Sequence, residues 1–167
     1  GQSSLRTALS TSRNIPALKA FQKVDNKKIV DFVTSLGIHP EIENGHIHEA
    51  HAIGAFTGVS PLEMAGAYAA FSNGGYYIQP HTVYRIIFRS TGKEENIKYE
   101  KKRVMSEATA FMIASVLQNV QLNGGTPYNV ACKTGTTNYD DAYMNKLHMT
   151  DDAVRDSWVI GFSTKTT

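Results

Sequence analysis

The sequence predicts an α+β domain, and three observations carry that prediction. Ser60-Pro61-Leu62-Glu63 opens a helix that stops at Asn73-Gly74-Gly75. The stretch from Tyr76 to Phe88 is rich in β-branched and aromatic residues, the composition of strands. Late in the chain, Val130 to Thr137 and Trp158 to Ser163 read as two further strands separated by a polar, irregular stretch.

Taken in order, Ser3 or Ser4 caps a short helix through Leu5, Ala8 and Leu9, and Pro16 opens another through Phe21. Ser12-Arg13-Asn14 is the loop between them. Asp25 or Asn26 starts a third helix, whose apolar Ile29, Phe32, Val33 and Leu36 recur at 3-4 spacing until Gly37 supplies a left-handed stop. Residues 38 to 57 lack periodicity and read as loop. The Ser60 helix combines an N-cap serine, proline at its first position and glutamate at its third, a capping box. Its Met64, Ala67, Tyr68 and Phe71 form a core stripe. Ser90-Thr91-Gly92-Lys93 is a turn that lets Ile97 to Tyr99 pair back on the Tyr76 to Phe88 strand. A helix from Ser106 to about Leu122 follows, ending at Asn123-Gly124-Gly125. The two late strands read as antiparallel neighbours, with Trp158 packed into the core.

At 167 residues with 41% hydrophobic content, the chain suits one core and is too short for two. Net charge is +2 and the basic residues are dispersed, Lys101-Lys102-Arg103 being the one run, so a nucleic-acid partner is excluded and the run reads as a solvated face. No stretch approaches the roughly twenty apolar residues needed to cross a bilayer, and Gly1-Gln2-Ser3-Ser4 lacks the regions of a signal peptide; a soluble polypeptide is expected. The single Cys132 rules out an internal disulfide.

The residues that suggest chemistry are Lys133-Thr134-Gly135-Thr136, with a further Thr137, and Ser12-Arg13-Asn14 far upstream. Alone, each is a short string that recurs on exposed strands and loops. Together with Ile15-Pro16-Ala17-Leu18, the Gly58 to Gly75 segment and Asp156-Ser157-Trp158-Val159-Ile160-Gly161-Phe162, they form an ordered set. That set resembles the transpeptidase domain of penicillin-binding proteins, most closely the class A (bifunctional) type of Gram-positive bacteria, over nearly the whole chain. Penicillin-interacting serine acyltransferases carry Ser-x-x-Lys, then Ser-x-Asn, then Lys-Thr-Gly. Here Ser-x-Asn begins at residue 12, so the nucleophile motif is expected outside this chain.

The resemblance implies a partial penicillin-binding transpeptidase (serine β-lactamase-like) fold, an antiparallel sheet flanked by helices. Residues 1–167 would be the C-terminal portion of one domain, without the Ser-x-x-Lys helix and the last strands. It implies Ser12 as the hydroxyl that relays a proton, Asn14 as the amide that fixes substrate backbone, and Lys133 as the cation that polarises Ser12 and attracts a terminal carboxylate. Thr134 and Thr136 would bind that carboxylate, and the Thr136 N–H would serve the oxyanion hole. Gly135, lacking a Cβ, lets substrate backbone approach an edge strand. The resemblance further implies no cofactor and no metal, with peptidoglycan stem peptides and β-lactams as ligands. The parent protein would be membrane-anchored at the extracytoplasmic face. Its missing remainder, or self-association, would cover an exposed apolar patch. Rival readings are a non-catalytic penicillin- or peptidoglycan-binding sensor module, and a hydrolase of the D,D-carboxypeptidase or β-lactamase kind.

Three further patterns read as structural. Ser90-Thr91-Gly92-Lys93 matches Ser-x-x-Lys, but the glycine denies it the helix that places lysine one turn from serine. Glu41-Ile42-Glu43-Asn44 faintly echoes the deacylating glutamate loop of β-lactamases. His46, His48, Glu49 and His51 lack a structural zinc framework. Two departures stand out: Cys132 occupies the place where the resemblance puts a glycine, and six residues separate the Thr of Gly125-Thr126-Pro127 from Lys133.

Overall fold

Side-chain caps set most helix starts in the computed structural model, which describes residues 2–120 and 129–163. Helix α1 (Leu5–Ser10) begins where Ser4 Oγ accepts the Thr7 N–H at 3.1 Å. It ends in a Schellman motif, with Ser12 N donating to Leu9 O at 3.1 Å and Arg13 N to Ala8 O at 2.9 Å. That motif demands a left-handed residue after the C-cap, and Ser12 takes the place with φ 53°. Helix α2 (Asn14–Phe21) starts at Asn14, two residues before the expected Pro16. Proline is tolerated there because first-turn N–H groups have no partner in the helix.

Helix α3 (Asn26–Ser35) is capped by Asp25 and closed by a second Schellman motif, with Gly37 at φ 77°. Residues 38 to 57 are not wholly loop. They contain an isolated bridge between Glu43 and His46 and a 3-10 helix at Glu49–Ile53 that packs on α2. The Asn26 amide clasps this segment from both sides, donating to Ile47 O and accepting Ile47 N, each at 3.0 Å. Helix α4 (Pro61–Ser72) carries the full capping box, with Glu63 N donating to Ser60 Oγ and Ser60 N to Glu63 Oε2.

Tyr76 to Phe88 is two strands rather than one. β1 (Tyr76–Ile78) pairs antiparallel with β4 (Lys101–Arg103), and β2 (Arg85–Ile87) with β3 (Glu94–Asn96). Pro80 interrupts the run, since it cannot donate to a ladder. The predicted partner Ile97 to Tyr99 lies just beyond β3, where Ile97 N still donates to Tyr84 O at 3.1 Å. The basic run is solvated as expected, yet it forms β4: Lys101 Nζ and the Arg103 guanidinium lie 4.3 and 4.1 Å from the Tyr76 ring centroid.

Helix α5 (Glu107–Leu117) starts at the Ser106 cap and stops five residues before the expected Leu122. The predicted stop Asn123-Gly124-Gly125 and the segment Gly125-Thr126-Pro127 lie outside the described residues. β5 (Ala131–Asn138) and β6 (Val154–Phe162) form the expected antiparallel pair. The stretch between them is not irregular throughout. It holds α6 (Asp141–Leu147), capped by Asp140, with Tyr139 and Tyr143 stacked at 5.3 Å.

The α+β class therefore holds, although the described strands form three separate antiparallel pairs. Leu36, Ala67, Ala70, Met105 and Ala110 make one core cluster, and Leu117, Ala131 and Phe162, backed by Tyr68 and Phe71, make a second between α4, α5 and the β5–β6 pair. Trp158 is half-buried rather than enclosed in the core. Among the described residues, no helix is long and apolar enough to cross a membrane.

Candidate active site

Ser12 and Lys133, 121 positions apart, meet: Lys133 Nζ donates to Ser12 Oγ at 2.7 Å and to Thr134 O at 2.7 Å. An ammonium has three N–H groups, so these contacts leave one donor direction. Burial of the lysine holds its pKa below the ordinary lysine range, opposed by the neighbouring Cys132.

Ser12 reaches this point because the Schellman motif turns the chain sharply off α1. Asn14, the first residue of α2, is exposed two positions on. The sequence placed Ser12 in a loop but gave no sign of its positive φ, since a serine stands where glycine or asparagine is usual.

Lys133 is carried by β5, which pairs with β6 alone and so presents an open edge among the described residues. Thr134, Gly135 and Thr136 are exposed along it. Alternation along β5 places Lys133 and Gly135 on the face that carries the buried Ala131, and they pair directly with Ile160 and Trp158. Thr134 and Thr136 alternate to the other side. Among the described residues, a Cβ on Gly135 would meet only Trp158 Cβ, at 3.7 Å, an ordinary contact. Packing among the described residues does not require this glycine.

Cys132 is 2% exposed, and burial pushes its thiol pKa up, the state of an inert cysteine. Its room comes from across the ribbon, where it pairs with Gly161; a Cβ there would lie 3.0 Å from Cys132 Cβ.

The other patterns are accounted for by structure. Ser90 lies in a turn closed by Gly92 N donating to Phe88 O at 2.8 Å, with Gly92 at φ 68°. Glu41 Oε1 accepts the Thr57 N–H at 2.6 Å. His48 caps the 3-10 helix through Nδ1, and His51 packs on Phe56 with its Nε2 4.0 Å from Glu41. No group of three or more potential metal ligands converges among the described residues.

The family model described as "Penicillin binding protein transpeptidase domain" matches residues 1–167. The chain is 44% identical to Penicillin-binding protein 1A/1B of Bacillus subtilis over 98% of its own length and 18% of that protein. It is 34% identical to Penicillin-binding protein 1A of Streptococcus pneumoniae over 99% of its length and 24% of that protein. It therefore spans about a fifth of the length of these relatives. Among solved structures it is similar to the penicillin-binding protein PonA1 of Mycobacterium tuberculosis, with TM-score 0.79 and 21% identity, over 98% of this chain and 45% of that one. The strings from Ser12 to Phe162 and the fold thus point the same way, and the chain belongs to the penicillin-binding protein transpeptidase domain family.

Proposed function

We propose that this chain is the C-terminal portion of a D,D-transpeptidase domain that cross-links peptidoglycan stem peptides through an acyl-enzyme and is acylated by β-lactams. The observation that carries the reading is the 2.7 Å contact between Lys133 Nζ and Ser12 Oγ beside the open edge of β5. Acyl transfer needs a nucleophile, a base, a proton route to the leaving amine and donors for the oxyanion. Ser12, polarised by Lys133, supplies the proton route. Asn14 fixes the substrate amide, Lys133 with Thr134 and Thr136 holds the terminal carboxylate, and the Thr136 N–H faces the oxyanion. The serine nucleophile and its lysine belong to a preceding part of the parent domain. The parent acts at the extracytoplasmic face of the membrane, held there by an anchor.

Exposed apolar side chains support a missing neighbour: Leu5 is 78% exposed, Ile15 69% and Phe111 73%. The remainder of the domain covers them in the parent; in isolation they favour self-association. Engagement of Glu41 by Thr57 N leaves the deacylating role of a β-lactamase loop without support.

The test is a labelled penicillin with intact-mass readout, applied to this polypeptide and to the domain extended upstream through its Ser-x-x-Lys. An adduct on the extended domain alone is expected. An adduct on this chain by itself, mapped first at Ser90, overturns the assignment of the nucleophile.

A further inference from the structure

We propose that Arg6 is a positioning residue for the Ser12–Lys133 pair: its guanidinium, seated on the last turn of α5, sets where α1 lies and hence where Ser12 Oγ stands. The inference rests on the reading of Ser12 and Lys133 given above.

Arg6 Nη1 donates to Ser115 O at 2.7 Å and Nη2 to Ser115 Oγ at 3.2 Å. Ser115 lies in the last turn of α5, where backbone carbonyls have no partner within the helix. Asn119 N turns aside to Val116 O, so Ser115 O accepts instead from Arg6 and from Asn119 Nδ2, the latter at 2.8 Å. A cation at this end also meets the negative pole of the helix. Arg6 thereby caps α5 from another element, with a planar fork that fixes direction as well as distance.

Among the described residues, apolar contacts hold α1 only lightly. Ala8 is its one buried residue, and Leu5 and Leu9 are exposed, so apolar packing alone does not set its register along α5. The other half of the pair refers to the same turn. Leu117, two residues beyond Ser115, packs with Ala131, and Ala131 lies on the same face of β5 as Lys133. One turn of α5 thus locates Lys133 through Leu117 and Ser12 through Arg6. A slide of α1 by one residue's rise, about 1.5 Å, breaks the Ser12–Lys133 contact.

Arg6→Lys keeps the charge and loses the fork; Arg6→Ala loses both; Ser115→Ala removes only the weaker contact. In this polypeptide, the pH dependence of amine-selective labelling at Lys133, read by peptide mass, reports how far Lys133 stays buried beside Ser12, since burial is what holds its pKa down. The midpoint is expected to rise toward the ordinary lysine range in Arg6→Ala, to rise less in Arg6→Lys, and to move least in Ser115→Ala. In the domain extended through Ser-x-x-Lys, penicillin acylation is expected to slow about tenfold in Arg6→Ala, with partial recovery in Arg6→Lys. Should Arg6→Ala fail to fold, Arg6→Lys and Ser115→Ala decide. An unchanged Lys133 midpoint in folded variants, with acylation within about twofold of the parent, overturns the inference. If the unmutated extended domain takes no label, the transpeptidase reading fails, while the labelling series still decides the role of Arg6.

Discussion

Lys133 Nζ and Ser12 Oγ stand 2.7 Å apart across 121 residues of sequence, and the serine that accepts this bond sits in a left-handed backbone conformation with φ 53°. For an L-residue with a Cβ that conformation costs roughly 1–2 kcal/mol. The Schellman bonds to Leu9 O and Ala8 O enforce it. The hydroxyl is thus held where stability alone favours glycine.

A trade between stability and chemistry follows at this position. Ser12→Gly relieves the positive φ and is expected to stabilise the fold by about 0.5–1 kcal/mol, less than the full strain because glycine also loses more backbone entropy. Ser12→Ala keeps the strain and gains nothing. Both remove the acceptor for Lys133, so in the extended domain both are expected to lower penicillin acylation by about 10² or more. Thermal melts and acylation rates on the two variants check this. Equal melting temperatures for Gly and Ala refute the strain argument.

What the sequence made legible was local. The Ser60 capping box, a start at Asp25 or Asn26 and the Gly37 stop are rules of one helix end; the box and the stop are found in place, and Asp25 is the cap of the two. The β5–β6 ribbon was readable because long β-rich strings mark it. Pairing over distance was not readable. Lys101–Arg103 pairs with β1 and sets two cations over the Tyr76 ring, a contact that no propensity encodes. Helix α6 has a good cap in Asp140 but no buried residue, so no apolar period announced it. Lys-Thr-Gly and Ser-x-Asn were recognisable as strings, whereas the turn that brings Ser12 to Lys133, and Arg6 on Ser115, exist only in three dimensions.

The depressed pKa of Lys133 makes an alkaline signature. Below the folded pKa both chains carry the proton, and the burial penalty weighs on the fold in full. Above the folded pKa the native chain releases its proton while the unfolded chain keeps it up to the ordinary value of 10.5. The unfolded state then binds more protons, so stability rises with pH in that window. Tyr68 works the other way: burial lifts its phenol above the ordinary 10.0, so the unfolded chain ionises first and stability falls at the alkaline end. Lys133→Met isolates the lysine contribution. In urea unfolding, its stability advantage over the parent is expected to shrink as pH rises toward 10.5; a constant difference contradicts the assignment.

Gly135 is free of internal demands, which makes it a probe of what approaches from outside. Among the described residues, the added Cβ of Gly135→Ala meets Trp158 Cβ at 3.7 Å and nothing closer. Replacing glycine within a strand is expected to leave stability unchanged or raise it by up to about 1 kcal/mol. The same methyl stands on the strand along which the substrate backbone is proposed to lie. Acylation of the extended domain is expected to fall about tenfold while the melting temperature holds. A fall in both marks a structural glycine instead.

Gly161 is the opposite case, and its neighbour across the ribbon is Cys132. A Cβ at Gly161 would lie 3.0 Å from Ala131 O and 3.0 Å from Cys132 Cβ, inside the buried end of the ribbon. Overpacking of this kind costs about 1–3 kcal/mol, so Gly161→Ala is expected to destabilise clearly, in contrast to Gly135→Ala on the partner strand. Cys132 and Gly161 then act as a matched pair, one residue filling the space that the other vacates. In a Cys132→Gly background the cost of Gly161→Ala is expected to drop by about 0.5–1 kcal/mol, without vanishing, because the clash with Ala131 O persists. Denaturant unfolding of the two single variants and the double variant measures the coupling. Strict additivity means that the thiol side chain and the glycine do not share that space, and that Cys132 is accommodated by the Val120 side, where its Sγ lies 3.7 Å from Val120 O.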